Sequence, residues 1–373
     1  MYSNHALISA IRDSNLTPIA EKIFNNQRLS IDDGMILYQT RDIASLGSLA
    51  NYVRRNKHDS KTYYVHSRRL SYTNICFTHC QFCAFQAKPD DPRAYVLTAE
   101  EIIKDLSSDI NMGVRELHMV AGHYPKLNIV YFEDLFKKIK CAFPSIHLKV
   151  FTMVEMDYYA RVSGITINEF IDRCIAAGLE SCPGGGAEIF DDKIREKICI
   201  GKKDANIWLT NARICHQKGL KTNCTMLYGH IEEPIHKIDH LNRLRDLQDE
   251  TNGFLAYIPL AYQIEDNELS RSYPIKETTG LADLREIAVA RLFLDNIPHI
   301  KAYWVMITEG LAQIALSFGA NDLDGTIIQE EIAHNAGAKT PQMLTKQRLR
   351  DLISSAGYKP IERDHLYREY EHV

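Results

Sequence analysis

Residues 76–83 read Cys-Phe-Thr-His-Cys-Gln-Phe-Cys, which places three thiols in C-x3-C-x2-C spacing at Cys76, Cys80 and Cys83. Soft thiolates suit iron–sulfur clusters, and an ordinary electron carrier supplies four of them. Three thiolates in one tight loop can hold three corners of a [4Fe–4S] cubane and leave the fourth iron open to a substrate. Zinc and unligated thiols are the alternatives, with His79 as a fourth zinc ligand, although structural zinc sites usually contain paired C-x2-C units. The spacing therefore favours a catalytic iron–sulfur cluster.

The composition is that of an ordinary globular protein. Of the 373 residues, 45% are hydrophobic and 25% are charged, and the formal net charge is −4. Because there is no long basic run, nucleic acid and anionic membrane surfaces are not expected partners. No apolar stretch reaches the length of a membrane span, and the amino terminus lacks the pattern of a secretory signal. Nine cysteines, an odd number, do not suggest a disulfide framework. These features predict a reducing compartment, with the cytoplasm as the default.

Outside the cysteine loop, short apolar strands alternate with helical patterns roughly every 30 to 45 residues, which predicts a parallel sheet with crossover helices. With about eight such units, closure into an α/β barrel of the (β/α)8 TIM type is expected. Residues 318–321 are the predicted eighth strand. We predict an N-terminal helical cap over residues 1–60 and the barrel over residues 61–340. A C-terminal helix and tail over residues 341–373 are expected to pack on the barrel.

The cysteine loop resembles the signature of the radical S-adenosylmethionine (SAM) superfamily. In those enzymes SAM chelates the open iron through its amino and carboxylate groups, and one electron cleaves it to methionine and a 5′-deoxyadenosyl radical. The resemblance implies a [4Fe–4S] cluster, SAM, and an external one-electron reductant of the flavodoxin or ferredoxin type. It also places Phe82, the aromatic residue before the last cysteine, near the adenine.

Turns of small residues follow several predicted strands on the carboxyl face, where barrel enzymes place their chemistry. Ala121 and Gly122 follow the second strand, at a position where radical SAM enzymes commonly contact the amino group of SAM. A tight turn without a ligand is the alternative for this pair. Three glycines that permit close backbone approach follow the fourth strand: Gly184, Gly185 and Gly186.

Two carboxylates accompany these turns. Glu188 offers a carboxylate to hydroxyl donors such as a ribose diol. Gly229 and Glu232 end the fifth strand as a G-x-x-E element, which resembles another SAM-contacting feature of the superfamily. By itself this element is a weak signal, and its value comes from its place in the strand order.

Two other groups of polar residues favour structural interpretations. Residues 248–251, Gln-Asp-Glu-Thr, lie at a helix end and hence on the opposite barrel face, so we predict a solvated or structural role. His230, His236 and His240 could suggest a metal site. Since no tight ligand geometry is evident, His236 and His240 are predicted to be surface helix residues.

Over nearly its whole length the chain resembles one family, aminodeoxyfutalosine synthase of the futalosine route to menaquinone. The matching blocks are residues 76–85, 116–118, 147–152 with Glu155, 183–190, 222–230, 247–251, 294–296, 299–304 and 323–326. Two sister families share residues 183–188 and the cysteine loop: dehypoxanthine futalosine cyclase and the enzymes that build the deazaflavin core. The blocks at 116–118, 147–149 and 323–326 resemble the synthase instead. One departure is Ala-Gly-His-Tyr-Pro at residues 121–125, where the family has Gly-Gly-Leu-His-Pro, so His123 and Tyr124 receive no role.

The resemblance implies that the deoxyadenosyl radical adds to the enol-ether double bond of 3-[(1-carboxyvinyl)oxy]benzoate. Rearrangement and loss of a carboxylate then give 6-amino-6-deoxyfutalosine. Such a reaction needs a dry pocket free of hydrogen donors, and cationic or amide donors for two carboxylates. Lys149 in the third strand and Lys301 in the seventh are the candidates for those contacts. A cyclase-like reaction by hydrogen abstraction is the alternative, and the sequence does not specify an oligomeric state.

Overall fold

A computed structural model describes residues 4–202 and 204–370 of the chain. Its strands are β1 (Lys61–Val65), β2 (Ser67–Leu70), β3 (His79–Cys80), β4 (Glu116–Met119), β5 (His147–Val150), β6 (Ser181–Cys182), β7 (Cys199–Ile200), β8 (Lys221–Tyr228), β9 (Phe254–Ala261), β10 (His299–Ile300), β11 (Asp322–Gly325) and β12 (Lys359–Glu362).

The strands form a curled parallel sheet. Seven of them lie side by side in the order β10-β9-β8-β6-β5-β4-β2, and every neighbouring pair is parallel. The eighth barrel strand is β11. Parallel bridges connect β11 and the residues just after it to both edges of this sheet: Asp322 pairs with Lys301, and Ile328 pairs with Arg68. The predicted (β/α)8 fold class is confirmed. The eighth strand begins at Asp322 rather than at 318, because residues 316–318 form a turn of 3₁₀ helix.

The helices are α1 (Asn4–Ala10), α2 (Leu16–Phe24), α3 (Ile31–Gln39), α4 (Ile43–His58), α5 (Ala99–Asn111), α6 (Ile129–Ala142), α7 (Met153–Val162), α8 (Ile167–Ala177), α9 (Asp192–Ile198), α10 (Ala205–Gln217), α11 (Pro234–Thr251), α12 (Glu268–Ser272), α13 (Gly280–Phe293), α14 (Trp304–Ile307), α15 (Glu309–Ala315), α16 (Ile332–Asn335) and α17 (Lys346–Ser355). At least one helix crosses over between each pair of successive barrel strands, as parallel pairing requires.

Side-chain caps begin most of the crossover helices. The hydroxyl of Thr98 accepts the N–H of Glu101 at the start of α5, and the Glu101 carboxylate accepts the N–H of Thr98. Thr152 and Glu155 form the same reciprocal capping box at α7. Each box satisfies helix N–H groups that have no partner within the helix. At α7 the cap directly follows β5, so Thr152 and Glu155 determine where that crossover leaves the carboxyl end of the strand.

Before residue 60, α3 packs on the outside of the barrel against α11 and α13, α4 packs against α13, and α1 and α2 contact α4. Arg28 joins this segment to Asp249 and Asp295, the residues at or just beyond the ends of those two helices. Asn296 also donates to Asp249 at 2.7 Å. The structural role predicted for residues 248–251 is therefore confirmed at Asp249.

His240 contradicts its prediction as a surface residue. Its side chain is fully buried on α11, its Nε2 lies 3.0 Å from the carbonyl oxygen of Thr225, and its ring stacks on Phe190 at 3.9 Å. Burial lowers its pKa to about 3, so the imidazole is neutral. The sequence showed a polar residue in a charged helix, whereas the face that carries it packs against β8. His236 is only partly buried, and its Nδ1 accepts the N–H of Glu233.

The C-terminal extension contains more than the predicted helix. After α17 the chain forms β12, which pairs in parallel with β1 over four residues. The tail then lies against the amino ends of the barrel strands: the ring of Tyr367 stacks on His299 at 3.4 Å. The strand was missed because its four residues, Lys-Pro-Ile-Glu, carry too little pattern to predict one. It is the free edge of β1 that supplies their hydrogen bonds.

Candidate active site

A cavity of about 280 Å³ opens at the carboxyl ends of the barrel strands. Its wall is mostly apolar, with contributions from Leu227, Ile258, Leu260 and Met306. A concave, largely apolar site with a few converging polar groups is the usual form of a small-molecule site. In a barrel it lies on the face where the chemistry of such folds is found.

The cysteine loop is fastened to the turn that follows β4. The N–H of Phe77 donates to the carbonyl oxygen of His123 at 2.9 Å. A Cβ at Gly122 would lie 2.2 Å from the carbonyl oxygen of Ile75, so only glycine permits this close approach. Gly122 and Ala121 both line the cavity. The small residues of this turn therefore seat the cysteine loop against the cavity wall.

The three thiols of the loop line one end of the cavity, with Cys80 buried and Cys76 and Cys83 partly buried. Burial raises the pKa of the Cys80 and Cys83 thiols, so a bound metal would have to displace their protons. Among the described residues, no group of three or more His, Cys, Asp or Glu side chains is placed to hold one metal ion. In a cubane each thiolate binds a different iron, so the three need not converge on a point. This donor set fits a cluster ligated at three corners.

Glu188 lies on the same side of the cavity as the thiols. Its backbone has a φ of +48°, and its buried carboxylate forms an ion pair with Lys202. The Lys202 ammonium lies 5.3 Å from the centre of the Phe82 ring. All three side chains line the cavity. The sequence did not single out Lys202, because a lysine in a polar loop resembles any solvated residue until the tertiary structure brings it against Glu188.

The predicted glycines separate into two groups. Gly185 and Gly186 line the cavity, whereas Gly184 lies behind it. A Cβ at Gly184 would lie 1.9 Å from the carbonyl oxygen of Asn223, so that glycine allows two barrel segments to touch. Its φ of +81° adds a second reason for glycine at this position.

Gly229 and Glu232 also lie outside the cavity lining. The Glu232 carboxylate accepts the N–H of Gly229 at 2.7 Å and the N–H of His230 at 2.8 Å. These contacts close the G-x-x-E turn on itself. The carboxylate is therefore occupied by its own loop.

The two lysines predicted to bind substrate carboxylates are paired within the barrel. Lys149 donates to Glu116 at 2.9 Å, and Lys301 donates to Asp324. Burial lowers the pKa of Lys149 to about 8. Neither lysine lines the cavity, whereas Asp324 does. The cations among the described lining residues are Arg69 and Lys202, and neither was predicted from the sequence.

His123, at the departure from the family turn, is a buried neighbour of the cysteine loop. Its Nδ1 lies 2.5 Å from the hydroxyl of Thr78, and its ring stacks on Tyr158 at 4.6 Å. Burial lowers its pKa to about 3, so the ring is neutral and acts as a hydrogen-bonding partner of the loop. The ring of Tyr124 lies 6.3 Å from that of Phe77.

One segment of the cavity wall is held by a protonated histidine. The two ring nitrogens of His334 face the carbonyl oxygens of Glu330 at 2.6 Å and Thr340 at 2.9 Å, which only the imidazolium satisfies at once. The hydrogen bond to the Glu330 side chain raises the pKa of His334 to about 9. This histidine belongs to α16, whose Ile332 and Ala333 line the cavity.

We predict that His334→Gln lowers the unfolding temperature at pH 6 and has progressively less effect as the pH rises to 10. Because the folded pKa is raised, the stabilisation is complete below the ordinary value of 6.5 and is lost as the pH passes 9. Thermal unfolding at several pH values measures this. His240→Gln is the control, since a histidine with a pKa near 3 is neutral throughout the range. A constant difference for His334→Gln would contradict the prediction.

Two family models match the chain: the radical SAM superfamily over residues 70–244 and the CofH/MqnC C-terminal region over residues 251–373. The crystal structure of methylornithine synthase superposes with a TM-score of 0.72 at 17% identity, covering 92% of this chain and 97% of that one. None of the described helices has the length and apolar character needed to cross a membrane. The barrel, the cysteine loop and the first family model define a radical SAM enzyme.

The aminodeoxyfutalosine synthase of Thermus thermophilus is 48% identical over 360 residues, which cover 96% of this chain and 97% of that protein. The Streptomyces coelicolor synthase is 41% identical, over 95% of this chain and 94% of its own length. The cyclic dehypoxanthine futalosine synthase of the same organism is 33% identical, over 96% and 89%. The chain belongs to the aminodeoxyfutalosine synthase family, and the resemblance identified from the sequence is confirmed.

Proposed function

We propose that this protein joins the 5′-deoxyadenosyl group of SAM to 3-[(1-carboxyvinyl)oxy]benzoate and gives 6-amino-6-deoxyfutalosine, with loss of a carboxylate as bicarbonate or CO2. The observation that carries the proposal is that Cys76, Cys80 and Cys83 line the same cavity as the turn at Gly122 and the carboxylate of Glu188. The family and the identity to two synthases support the choice of substrate.

The three cysteines hold the cluster in this proposal. When bound, a [4Fe–4S] cluster held by these cysteines would supply the electron for SAM cleavage and thereby give the carbon radical. In this proposal Phe82 and Glu188 bind the nucleoside part of SAM, and the position of both side chains in the cavity lining that includes the thiols supports this assignment. Ala121, Gly122, Gly185 and Gly186 offer backbone close to the same space. The donor of the electron is an external carrier of the flavodoxin or ferredoxin type.

The protein's part in the reaction is to position the partners and to keep hydrogen donors away. A primary carbon radical is quenched by any accessible weak X–H bond, so the cavity has to be dry and shaped around the double bond. The apolar wall formed by Leu227, Ile258 and Leu260 meets this need. His123 stacks on Tyr158 and is hydrogen-bonded to Thr78 of the cysteine loop, and these contacts support the cluster end of the cavity.

Product analysis tests the proposal. The reconstituted enzyme is incubated anaerobically with SAM, the enol ether and a reductant, and the products are separated by mass spectrometry. We expect a product that retains the adenosyl group, because the radical adds to the substrate. A cyclase-like enzyme would abstract hydrogen and release 5′-deoxyadenosine in step with substrate consumption. Deoxyadenosine formed in equal amount to consumed substrate, without an adenosylated product, would refute the proposal.

A further inference from the structure

Two walls of the cavity carry a cation each. Lys202 lies beside the thiols and is held by Glu188. Arg69 is on β2 and lies among His118 of β4, Tyr303 after β10 and Asp324 of β11, all of which line the cavity. The two cations therefore face different regions of the site. The contacts of Arg69 with His118, Asp324 and Tyr303 include none of the residues that we assign to the cofactor.

The guanidinium of Arg69 is held by neighbouring side chains, but only some of its N–H donors have hydrogen-bond partners in the described part of the chain. Its Nη2 donates to Asp324 at 2.5 Å, and its Nη1 lies 2.7 Å from Nε2 of His118. Its Nε is buried and has no hydrogen-bond partner among the described residues. The ring of Tyr303 lies 5.6 Å from the guanidinium carbon. A guanidinium has five N–H donors, so several remain for a ligand.

The charges around Arg69 do not balance. The Asp324 carboxylate forms ion pairs with two cations: its Oδ2 pairs with Arg69 and its Oδ1 pairs with Lys301. Burial, together with the charge of Arg69, lowers the pKa of His118 far below its ordinary value, so this ring is neutral. Other buried pairs inside the barrel are one to one: Lys149 with Glu116, and Arg363 with Asp322. A surplus of one positive charge therefore lies at the cavity wall, where it is costly unless an anion compensates it.

Among the described residues, the remaining acids of the cavity wall form no ion pair with Arg69, because each has donors of its own. The Glu330 carboxylate accepts the N–H of Ala333 at 2.9 Å and pairs with His334. Glu155 accepts the hydroxyl of Tyr72 at 2.7 Å and backbone N–H groups, and Glu188 is paired with Lys202.

We propose that Arg69 binds a carboxylate of the substrate, with Asp324 and Lys301 as positioning residues that hold the guanidinium towards the cavity. This inference rests on the proposed function and names the site that one of the two substrate carboxylates occupies. A planar guanidinium forms paired charge-assisted hydrogen bonds with a carboxylate, and the adjacent Tyr303 ring provides a flat apolar surface for an aryl or enol ether group. The ligand class is an unsaturated or aromatic carboxylate.

Arg68 is a matched control, because it is the neighbouring arginine on the same strand and points to the other face. It is buried, and its Nε pairs with Asp109 at 2.9 Å and its Nη2 with Asp105. Arg68 is not among the lining residues of the cavity. Arg68→Gln and Arg69→Gln thus remove the same group from β2, but only the second removes it from the site.

Binding is measured by calorimetry on the cluster-loaded enzyme with SAM and without a reductant, so that no turnover occurs. The probes are the enol ether and its carboxamide analogues. We expect Arg69→Gln to weaken binding of the enol ether roughly 10- to 100-fold, the usual effect of losing a charge-assisted pair. Arg68→Gln should stay within about threefold of the wild type, and Arg69→Lys should restore part of the affinity. Iron content and SAM affinity report on folding.

The carboxamide analogues decide whether the contact is direct. The wild type should prefer the acid to the amide at one of the two carboxylate positions, and Arg69→Gln should lose that preference. The inference would be overturned if Arg68→Gln weakened binding of the enol ether as much as Arg69→Gln does, or if Arg69→Gln kept the preference for the acid over the amide. It would also be overturned if the wild type did not bind the enol ether. An enzyme that binds the enol ether through Arg69 but forms no adenosylated product would refute the proposed function alone.

Discussion

Replacing Cys80 by alanine is expected to abolish SAM cleavage and to remove most of the bound iron from anaerobically reconstituted enzyme. The loss should exceed about a thousandfold in rate, because in the proposed function the electron that cleaves SAM comes from a cluster that two thiolates would hold poorly. Cys76→Ala and Cys83→Ala should behave alike, since all three thiols line the same end of the cavity. Iron content, the electron paramagnetic resonance of the reduced cluster and 5′-deoxyadenosine formation measure the effect.

Cys199 provides the sharpest control for this prediction. It pairs with Cys80 across the two-stranded β3–β7 ribbon, it is buried, and its thiol pKa is raised by burial in the same way. Nothing in the spacing of the cysteine motif includes it. We expect Cys199→Ser to keep nearly the full iron content and the reduced-cluster signal. Iron loss equal to that of Cys80→Ala would show that the ligand set is wrong, and SAM cleavage by Cys80→Ala would remove the cluster assignment.

The cysteine loop and the strand–helix alternation could be predicted from the sequence because both are local. Three thiols within eight residues must lie close together in any fold. A crossover helix can be predicted from consecutive residues, such as the capping box of Thr98 and Glu101. The order of the strands follows from the parallel connections. These features need no knowledge of distant contacts.

The substrate end of the cavity could not be predicted in this way, because its charges pair across strands. Lys149 and Lys301 were reasonable candidates for carboxylate contacts until the fold brought Glu116 and Asp324 to them from neighbouring strands. Arg69 was missed for the opposite reason: in the sequence Arg68 and Arg69 are adjacent and resemble two exposed surface charges. The strand period places Arg68 against α5 and Arg69 inside the barrel, and only the β11 register brings Asp324 beside it.

Removing Arg363 should destabilise the fold more than any surface substitution. Its side chain is fully buried, its Nε donates to Asp322 at 2.7 Å, and its guanidinium lies 4.2 Å from the Tyr367 ring centre. Arg363→Met leaves the Asp322 carboxylate buried and uncompensated, which costs about 3–5 kcal/mol. Chemical denaturation of the wild type and the variant measures the change in the free energy of unfolding.

A surface ion pair gives the scale for comparison. Arg28 and Asp249 are each about two-fifths exposed, with side-chain exposures of 41% and 42%. Arg28→Met should therefore change the free energy of unfolding by no more than about 1 kcal/mol. A loss as large as that of Arg363→Met would mean that exposure does not set the cost of breaking these pairs.

The double variant Asp322→Asn with Arg363→Met distinguishes the cost of the unpaired Asp322 carboxylate from the cost of losing the packing of Arg363. The introduced amide is neutral and keeps an oxygen for the N–H of Asp324, which Asp322 accepts at 2.5 Å in the wild type. We expect the double variant to recover more than half of the stability lost in Arg363→Met, because the penalty comes mainly from the unpaired carboxylate. If the double variant is as unstable as the single one, the tail stabilises the barrel through the packing of Arg363 and Tyr367, and the charge pairing of the interior is secondary.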